Sequence, residues 1–206
     1  ATADGSDFVL VAPHGEVAVE LHLPGRHNVL NALAAAGIAM ACGVSLAIIA
    51  EGLSAAQPVA GRQIAHTLPN GAVVIDDSYN ANPGSLAAAI DTLAAASKQG
   101  GGEGWLVLGD MRELGADEEA LHADMGMRAK NAGLRRLYTL GPLSAAAAAA
   151  FGEGAHSFQD HASLADALRA DLRAGVRCLV KGSRGSAMDR IVAALLSTGE
   201  DASHAA

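Results

Sequence analysis

Val73-Val74-Ile75-Asp76-Asp77-Ser78-Tyr79-Asn80-Ala81-Asn82-Pro83 sets a short apolar run, a polar loop and a helix start in immediate succession. Asn is a favoured N-cap, and Pro fits the first helical position, where its missing N–H would have no partner anyway. The apolar run before the loop suits a strand buried on both faces. The pattern recurs downstream, where Trp105–Leu108, Arg136–Leu140 and Arg177–Val180 are further short apolar runs. Helix signals lie between them. Asp117-Glu118-Glu119 opens a segment whose far end carries Arg128 and Lys130, charges matched to the helix dipole. Ser163 with Asp166, and Ser186 with Asp189, have the spacing of capping boxes. The Ala145–Ala150 run predicts a short surface helix, since Ala is the best helix former. Strands alternating with helices at this spacing predict an α/β fold with a mostly parallel sheet.

Upstream the pattern changes. Gln63–Leu68 and Ala72–Ile75 read as strands joined by a Pro69-Asn70-Gly71 turn. Phe8–Ala12 and Glu16–His22 read as two more strands, followed by the loop Leu23-Pro24-Gly25-Arg26-His27-Asn28. A helix follows, with Leu30, Leu33, Ala34, Gly37, Ile38 and Ala41 predicted as its buried stripe. A second helix runs from about Ser45, with Leu46, Ile49 and Leu53 inward. Ser54–Pro58 is small and polar, the composition of a linker. Two domains are expected, residues 1–58 and 59–206, and the first reads as the end of something larger.

Composition narrows the functional classes. The 206 residues carry 14 Lys and Arg against 22 Asp and Glu, a net charge of −8. Such a chain repels phosphodiester backbones, and 3% aromatic residues offer no stacking platform for single strands, so no nucleic-acid partner is expected. Cys42 and Cys178 are far apart and have no CxxC partner, which suits a reducing compartment. The eight His form no HExxH and no Cys/His pairing, so a dedicated metal site is not expected. No apolar run reaches the ~18–20 residues of a membrane span, and the polar N-terminus lacks the regions of a signal peptide. A cytoplasmic location without membrane insertion is expected.

Ligands of an open parallel sheet bind at the carboxyl ends of its strands. Three loops leave such ends: Asp76–Pro83, Gly109–Gly115 and Lys181–Ser186. A parallel sheet would bring all three to one edge. The first holds adjacent carboxylates, a Tyr and two Asn; carboxylates bind ribose hydroxyls or Mg²⁺, although a polar loop with Asn82 as a cap explains it equally. The third combines Lys181 and Arg184 with helix-start N–H groups, an anion site or a solvated capped turn. The second, with Asp110, Arg112 and Glu113, reads alone as a surface ion-pair cluster. Asn28 and Asn31 share one helix face; capping accounts for the first only, and an amide can also read an adenine edge. No GxxxxGK[ST] phosphate loop is present, and Gly100–Gly104 precedes a strand rather than following one, so it reads as a flexible surface loop.

Taken together, these segments resemble the Mur ligases, the ATP-dependent amino-acid and dipeptide ligases of peptidoglycan synthesis. Gly25–Ala35 is similar to the G-x-H-N-x-x-N-x-x-A-A segment near the end of their central ATPase domain. Gly61-Arg62 followed by Asp76–Pro83 is similar to the opening of their C-terminal domain. Leu108–Gly115 and Val180–Ser186 resemble the branch that adds D-alanyl-D-alanine to UDP-N-acetylmuramoyl-tripeptide. The resemblance implies residues 1–58 as the end of the central ATP-binding domain. It implies a Rossmann-like third domain, with helices on both faces of the sheet, over 59–206. The phosphate loop, the Mg²⁺-binding Glu and a carbamylated Lys would precede Ala1. It further implies ATP and Mg²⁺ as co-substrate and ion of the full-length enzyme, a monomer, and the tripeptide precursor and D-Ala-D-Ala as partners. By motif, His27, Asn28 and Asn31 would form the adenine pocket. Arg62 would touch ATP phosphate as the catalytic cation, Asp77 would hold the ribose with Tyr79 beside it, and Asn82 would be a further nucleotide contact. Asp110, Arg112, Lys181, Ser183 and Arg184 would face the dipeptide. Alternatives are another Mur-type or folylpolyglutamate-type ligase, or a non-catalytic nucleotide-binding module.

Overall fold

In the computed structural model, which describes residues 5–23, 25–57 and 59–197 without the His27 side chain, the chain divides into two units, Ala1–Val59 and Ala60–Ala206. Pro24 and Pro58, placed in the predicted loop and linker, lie outside the described residues.

The first unit begins with the antiparallel pair β1 (Ser6–Ala12) and β2 (Gly15–Leu21), in register from Ser6 opposite Leu21 to Ala12 opposite Gly15. The helices α1 (Arg26–Ala41) and α2 (Leu46–Ser54) follow. Leu10, Val19 and Leu21 pack with Ala32 and Ala36 of α1 and Ile49 and Ala50 of α2. The α1 stripe differs from the predicted one. Leu30, Leu33 and Ile38 are 56%, 41% and 69% exposed, whereas Ala32 and Ala36 are buried. The helix is apolar nearly all round, so periodicity alone selects its large residues, but the small ones permit the close approach. Asn28 is not the cap either: it lies inside α1, and Gly25 holds the N-cap position with no side-chain bond.

The second unit contains β3 (Ile64–Thr67), β4 (Val73–Asp77), α3 (Pro83–Gln99), β5 (Glu103–Gly109), α4 (Glu118–Ala132), β6 (Arg136–Leu140), α5 (Ser144–Phe151), β7 (Ala155–Phe158), α6 (His161–Asp171), β8 (Val176–Lys181) and α7 (Asp189–Leu196). The sheet order is β3-β4-β8-β5-β6-β7, with β3 antiparallel to β4 and the other pairs parallel. Alternate residues divide between two cores, as the pleat requires. Trp105, Val107, Cys178 and Val180 face Leu164 and Leu168 of α6 and Ile191 and Val192 of α7. Leu106, Leu108, Leu137 and Leu179 face Leu86, Ile90 and Leu93 of α3, Ala129 of α4 and Phe151 of α5. The sheet is thus covered by helices on both faces.

Local signals fare unevenly. Asn82 caps α3 in a reciprocal box with Ser85, its Oδ1 accepting from Ser85 N at 2.8 Å. The other two predicted boxes do not form. Asp160, not Ser163, caps α6: the helix starts three residues earlier, and Ser163 supplies the N–H that the cap accepts. At α7 the Ser186 hydroxyl donates instead to Asp110 O, at 2.8 Å. The alanine run is helical as α5, yet Ala147, Ala148 and Phe151 are buried. Gly126 of α4 backs directly onto the Ala147 carbonyl, which a Cβ there would overlap. Asp76 and Asp77 end β4 rather than beginning the loop. β7, a short edge strand with two exposed central residues, has no counterpart among the predicted strands. Among the described residues no helix is long and apolar enough to cross a membrane.

Candidate functional site

Because β4, β8 and β5 are parallel neighbours, the loops leaving their carboxyl ends emerge together. Asp77 lies opposite Lys181 in the register, and Lys181 opposite Leu108. Glycine lets the two inner strand ends close on each other: a Cβ on Gly182 would stand 2.6 Å from Met188 Cγ and 3.2 Å from the Gly109 Cα.

Being consecutive in a strand, Asp76 and Asp77 point to opposite faces and do not act as a pair. Asp76 Oδ1 turns back to accept from Ser78 N at 3.1 Å and Ser78 Oγ at 2.6 Å. Asp77 is buried, and its Oδ2 accepts from Lys181 Nζ at 2.6 Å. The same ammonium donates to Asn80 O at 2.9 Å. Lys181 is 3% exposed, so its charge serves this pair and the turn of the first loop.

The three loops are tied together through Ser183. Its hydroxyl accepts from Arg112 N at 2.9 Å and donates to Ala81 O at 3.3 Å, while its N–H donates to Asp110 O at 3.1 Å. The Asp110 carboxylate is buried and accepts from Ser144 N at 2.8 Å, so it holds the start of α5. A fully buried His122 on α4 braces the second loop from below. Met111 N donates to its Nε2 at 2.8 Å, which assigns the proton to Nδ1, itself 2.6 Å from Glu118 O. His161 Nε2 meets Ser186 O at 2.9 Å and steadies the third loop. Neither histidine carries a sequence signal: each is a lone His whose partner is a backbone group of a distant loop.

Exposed at the edge are Arg62, Arg112 and Arg184, the Tyr79 ring, the amides Asn80 and Asn82, and Glu113. The Arg62 guanidinium lies 4.4 Å from the Tyr79 ring centroid and that of Arg184 lies 5.6 Å away, so two cations share one π face-bearing side chain. Among the described residues no carboxylate lies within ion-pair distance of Arg62, Arg112 or Arg184; the expected cluster of Arg112 with Asp110 or Glu113 does not form. Arg112 packs along Gly185 instead. Tyr79, Asn82, Arg112, Ser183 and Arg184 line a cleft of ≈ 360 Å³, together with Glu113 and Leu114. Gln63, Glu113 and Ala187 are the non-glycine residues with positive φ among those described, at 53°, 63° and 47°. Each stands beside or close to one of the three arginines, where backbone strain of this kind tends to collect.

The expected residues therefore separate into groups. Tyr79, Asn82, Arg112, Ser183 and Arg184 come together at the cleft, with Arg62 against Tyr79. Asp77, Asp110 and Lys181 lie beneath it with their charges engaged inside the protein. Asn28 and Asn31 stand one turn apart on α1 in the first unit, and the His27 side chain lies outside the described residues. No group of three or more His, Cys, Asp or Glu among the described residues could hold a metal ion, so these residues do not by themselves fit Mg²⁺.

The family described as "Mur ligase, glutamate ligase domain" matches residues 61–184. The UDP-N-acetylmuramoyl-tripeptide–D-alanyl-D-alanine ligase of Escherichia coli (strain K12) is 43% identical over 200 residues, covering 96% of this chain and 43% of its own length. The ligase of the same name from Mycobacterium bovis is 36% identical over 92% of this chain and 42% of its own. A crystal structure of MurF from Acinetobacter baumannii is similar with a TM-score of 0.78 at 33% identity, over 95% of this chain and 43% of that one. The chain thus spans less than half the length of these relatives. The matched segment runs from the glycine before Arg62, through the three strand-end loops, to Arg184 at the cleft, and on that match the chain belongs to the Mur ligase family.

Proposed function

We propose that this chain is part of a cytoplasmic ATP-dependent ligase that joins D-alanyl-D-alanine to UDP-N-acetylmuramoyl-tripeptide. Residues 1–58 would correspond to the end of its central ATP-binding domain and 59–206 to its C-terminal domain. The exposed Leu30, Leu33 and Ile38 on α1 support the first assignment, as a helix face suited to a larger sheet. The observation that carries the reading is the cleft. The segment shared with ligases of this name is also the one that gathers, at the carboxyl edge of β4, β8 and β5, exposed arginines with no carboxylate partner among the described residues.

In this reading a tripeptide carboxylate oxygen attacks the γ-phosphorus of ATP and ADP leaves, giving an acyl phosphate. The dipeptide amine then attacks the acyl carbon, inorganic phosphate leaves and the amine loses its proton. Arg62 would meet phosphoryl oxygens, where charge develops and a fixed cation has most effect. Tyr79 would keep Arg62 in place and pack beside the ribose that Asp77 binds, and Asn28 and Asn31 would read the adenine. Arg112 and Arg184 would receive the dipeptide carboxylate, which the planar guanidinium fork matches. Asp110 supports the start of α5 and Ser183 supports the loops, so neither charge nor hydroxyl is assigned to substrate.

The test is ATP-dependent phosphate release by the full-length enzyme with each amine donor in turn. D-Ala-D-Ala should be used and D-glutamate or a diamino acid should not. Release with another donor only would overturn the assignment. The isolated chain, which holds no GxxxxGK[ST], should release none.

A further inference from the structure

Lys181 ends β8 in the middle of the sheet edge, yet it does not line the cleft. Its two hydrogen bonds go to the end of β4 and to the loop that follows: Asp77 Oδ2 at 2.6 Å and Asn80 O at 2.9 Å. The side chains of the pair are 4% and 11% exposed. They are also direct neighbours in the parallel register of β4 and β8, so the ammonium reaches its partner across a single strand gap. A buried carboxylate stripped of its cation is strongly disfavoured, and its loop would have to move to solvate it. The ammonium fixes Oδ2, whereas Oδ1 accepts no hydrogen bond from the described residues. The Asn80 carbonyl held by the same nitrogen sits between Tyr79 and Asn82, both of which line the cleft. Lys suits this task better than Arg, because a compact three-donor head can serve a carboxylate and a carbonyl that lie at an angle to each other.

We propose that Lys181 is a positioning residue for the nucleotide, acting through Asp77 and the Tyr79–Asn82 turn, and not a contact of the acceptor dipeptide. The inference rests on the reading of Asp77 as the ribose contact. It separates the cations of the edge into two kinds: exposed arginines that meet substrate, and one buried lysine that aims the carboxylate beside them.

The test is a double-mutant cycle in the full-length enzyme, read as the equilibrium Kd for ATP together with the KM for D-Ala-D-Ala. Lys181→Met should weaken ATP binding by about ten- to a hundredfold, the loss of a charge-assisted contact. Its dipeptide KM should stay within about twofold, the usual margin for independent sites. In an Asp77→Asn background the same change should add less than about twofold to the ATP Kd, since nothing is left to aim. Asp77→Asn/Lys181→Met retains no unpaired buried charge, so comparing it with Asp77→Asn decides the matter even if Lys181→Met alone fails to fold. Independent, multiplying effects on ATP affinity would overturn the proposal, as would a raised dipeptide KM at unchanged ATP affinity. Coupled ATP affinities in a wild-type enzyme that does not use D-Ala-D-Ala would support the Lys181 assignment and overturn the ligase reading instead.

Discussion

Replacing Arg112 with alanine in the full-length enzyme distinguishes a substrate contact from a surface charge, because the structure gives the two roles different magnitudes. The side chain is exposed and has no carboxylate partner among the described residues, so its removal should change folding stability by less than about 0.5 kcal/mol. The loop does not depend on the guanidinium: Arg112 N stays bonded to Ser183 Oγ at 2.9 Å and Met111 N to His122 at 2.8 Å. If the fork binds the dipeptide carboxylate, its loss removes a charged hydrogen bond, about 1.5–3 kcal/mol, or one to two decades in kcat/KM. Steady-state phosphate release with D-Ala-D-Ala varied should show that rise in KM, while the KM for ATP stays within about twofold. Arg112→Lys should recover only part of the loss, since it keeps the charge and not the fork. Unchanged dipeptide kinetics in the alanine variant, or an activity loss that tracks a lowered Tm, would refute the placement of the acceptor site.

Three further outcomes are expected. His122→Ala leaves the buried Met111 N–H without its acceptor, so denaturant titration should give a loss of about 1–3 kcal/mol, and a loss under about 0.5 kcal/mol would mean that the loop is held otherwise. Asp160 accepts the Ser163 N–H, which holds its carboxyl below the usual range. A pKa depressed on folding adds stability above the unfolded value of about 3.9 and loses it as pH falls through the folded value, so Asp160→Asn should flatten the acid limb of the stability profile, and an unaltered limb would count against the cap. Cys178 is buried and its thiol is pushed up to about 12, whereas Cys42 is exposed; of these two, a thiol reagent at about pH 8 should therefore label Cys42 alone until the fold opens, and rapid labelling of both would contradict the packing of β8.

The parallel sheet was legible because β4, β5, β6 and β8 each carry a short, mostly apolar run with helix-start signals between the runs. β7 does not. Its two central residues are exposed, so it lacks the apolar run that gives a buried strand away. The convergence of the three loops follows from parallel order alone, which is why Tyr79, Arg112 and Arg184 could be grouped without coordinates. The roles of the buried residues could not be grouped this way. Lys181 and Asp77 read as two independent site charges, because their bond joins residues 104 positions apart and depends on which strands are neighbours. Asp110 read as a surface acid for the same reason: its partner, Ser144 N, is brought to it only by the packing of α5. Ser163 and Ser186 match a capping pattern that is short and local, but the Ser163 N–H is taken by the Asp160 cap and the Ser186 hydroxyl by the carbonyl of Asp110.

The most direct measurement of the central claim is a crystal structure of the full-length enzyme with a non-hydrolysable ATP analogue and D-Ala-D-Ala. The account predicts the dipeptide carboxylate within hydrogen-bond distance of Arg112 or Arg184 in the cleft at the ends of β4, β8 and β5, the ribose on Asp77, and Lys181 still bonded to Asp77 beneath both ligands. A dipeptide bound away from this edge, with both arginines in solvent, would contradict it.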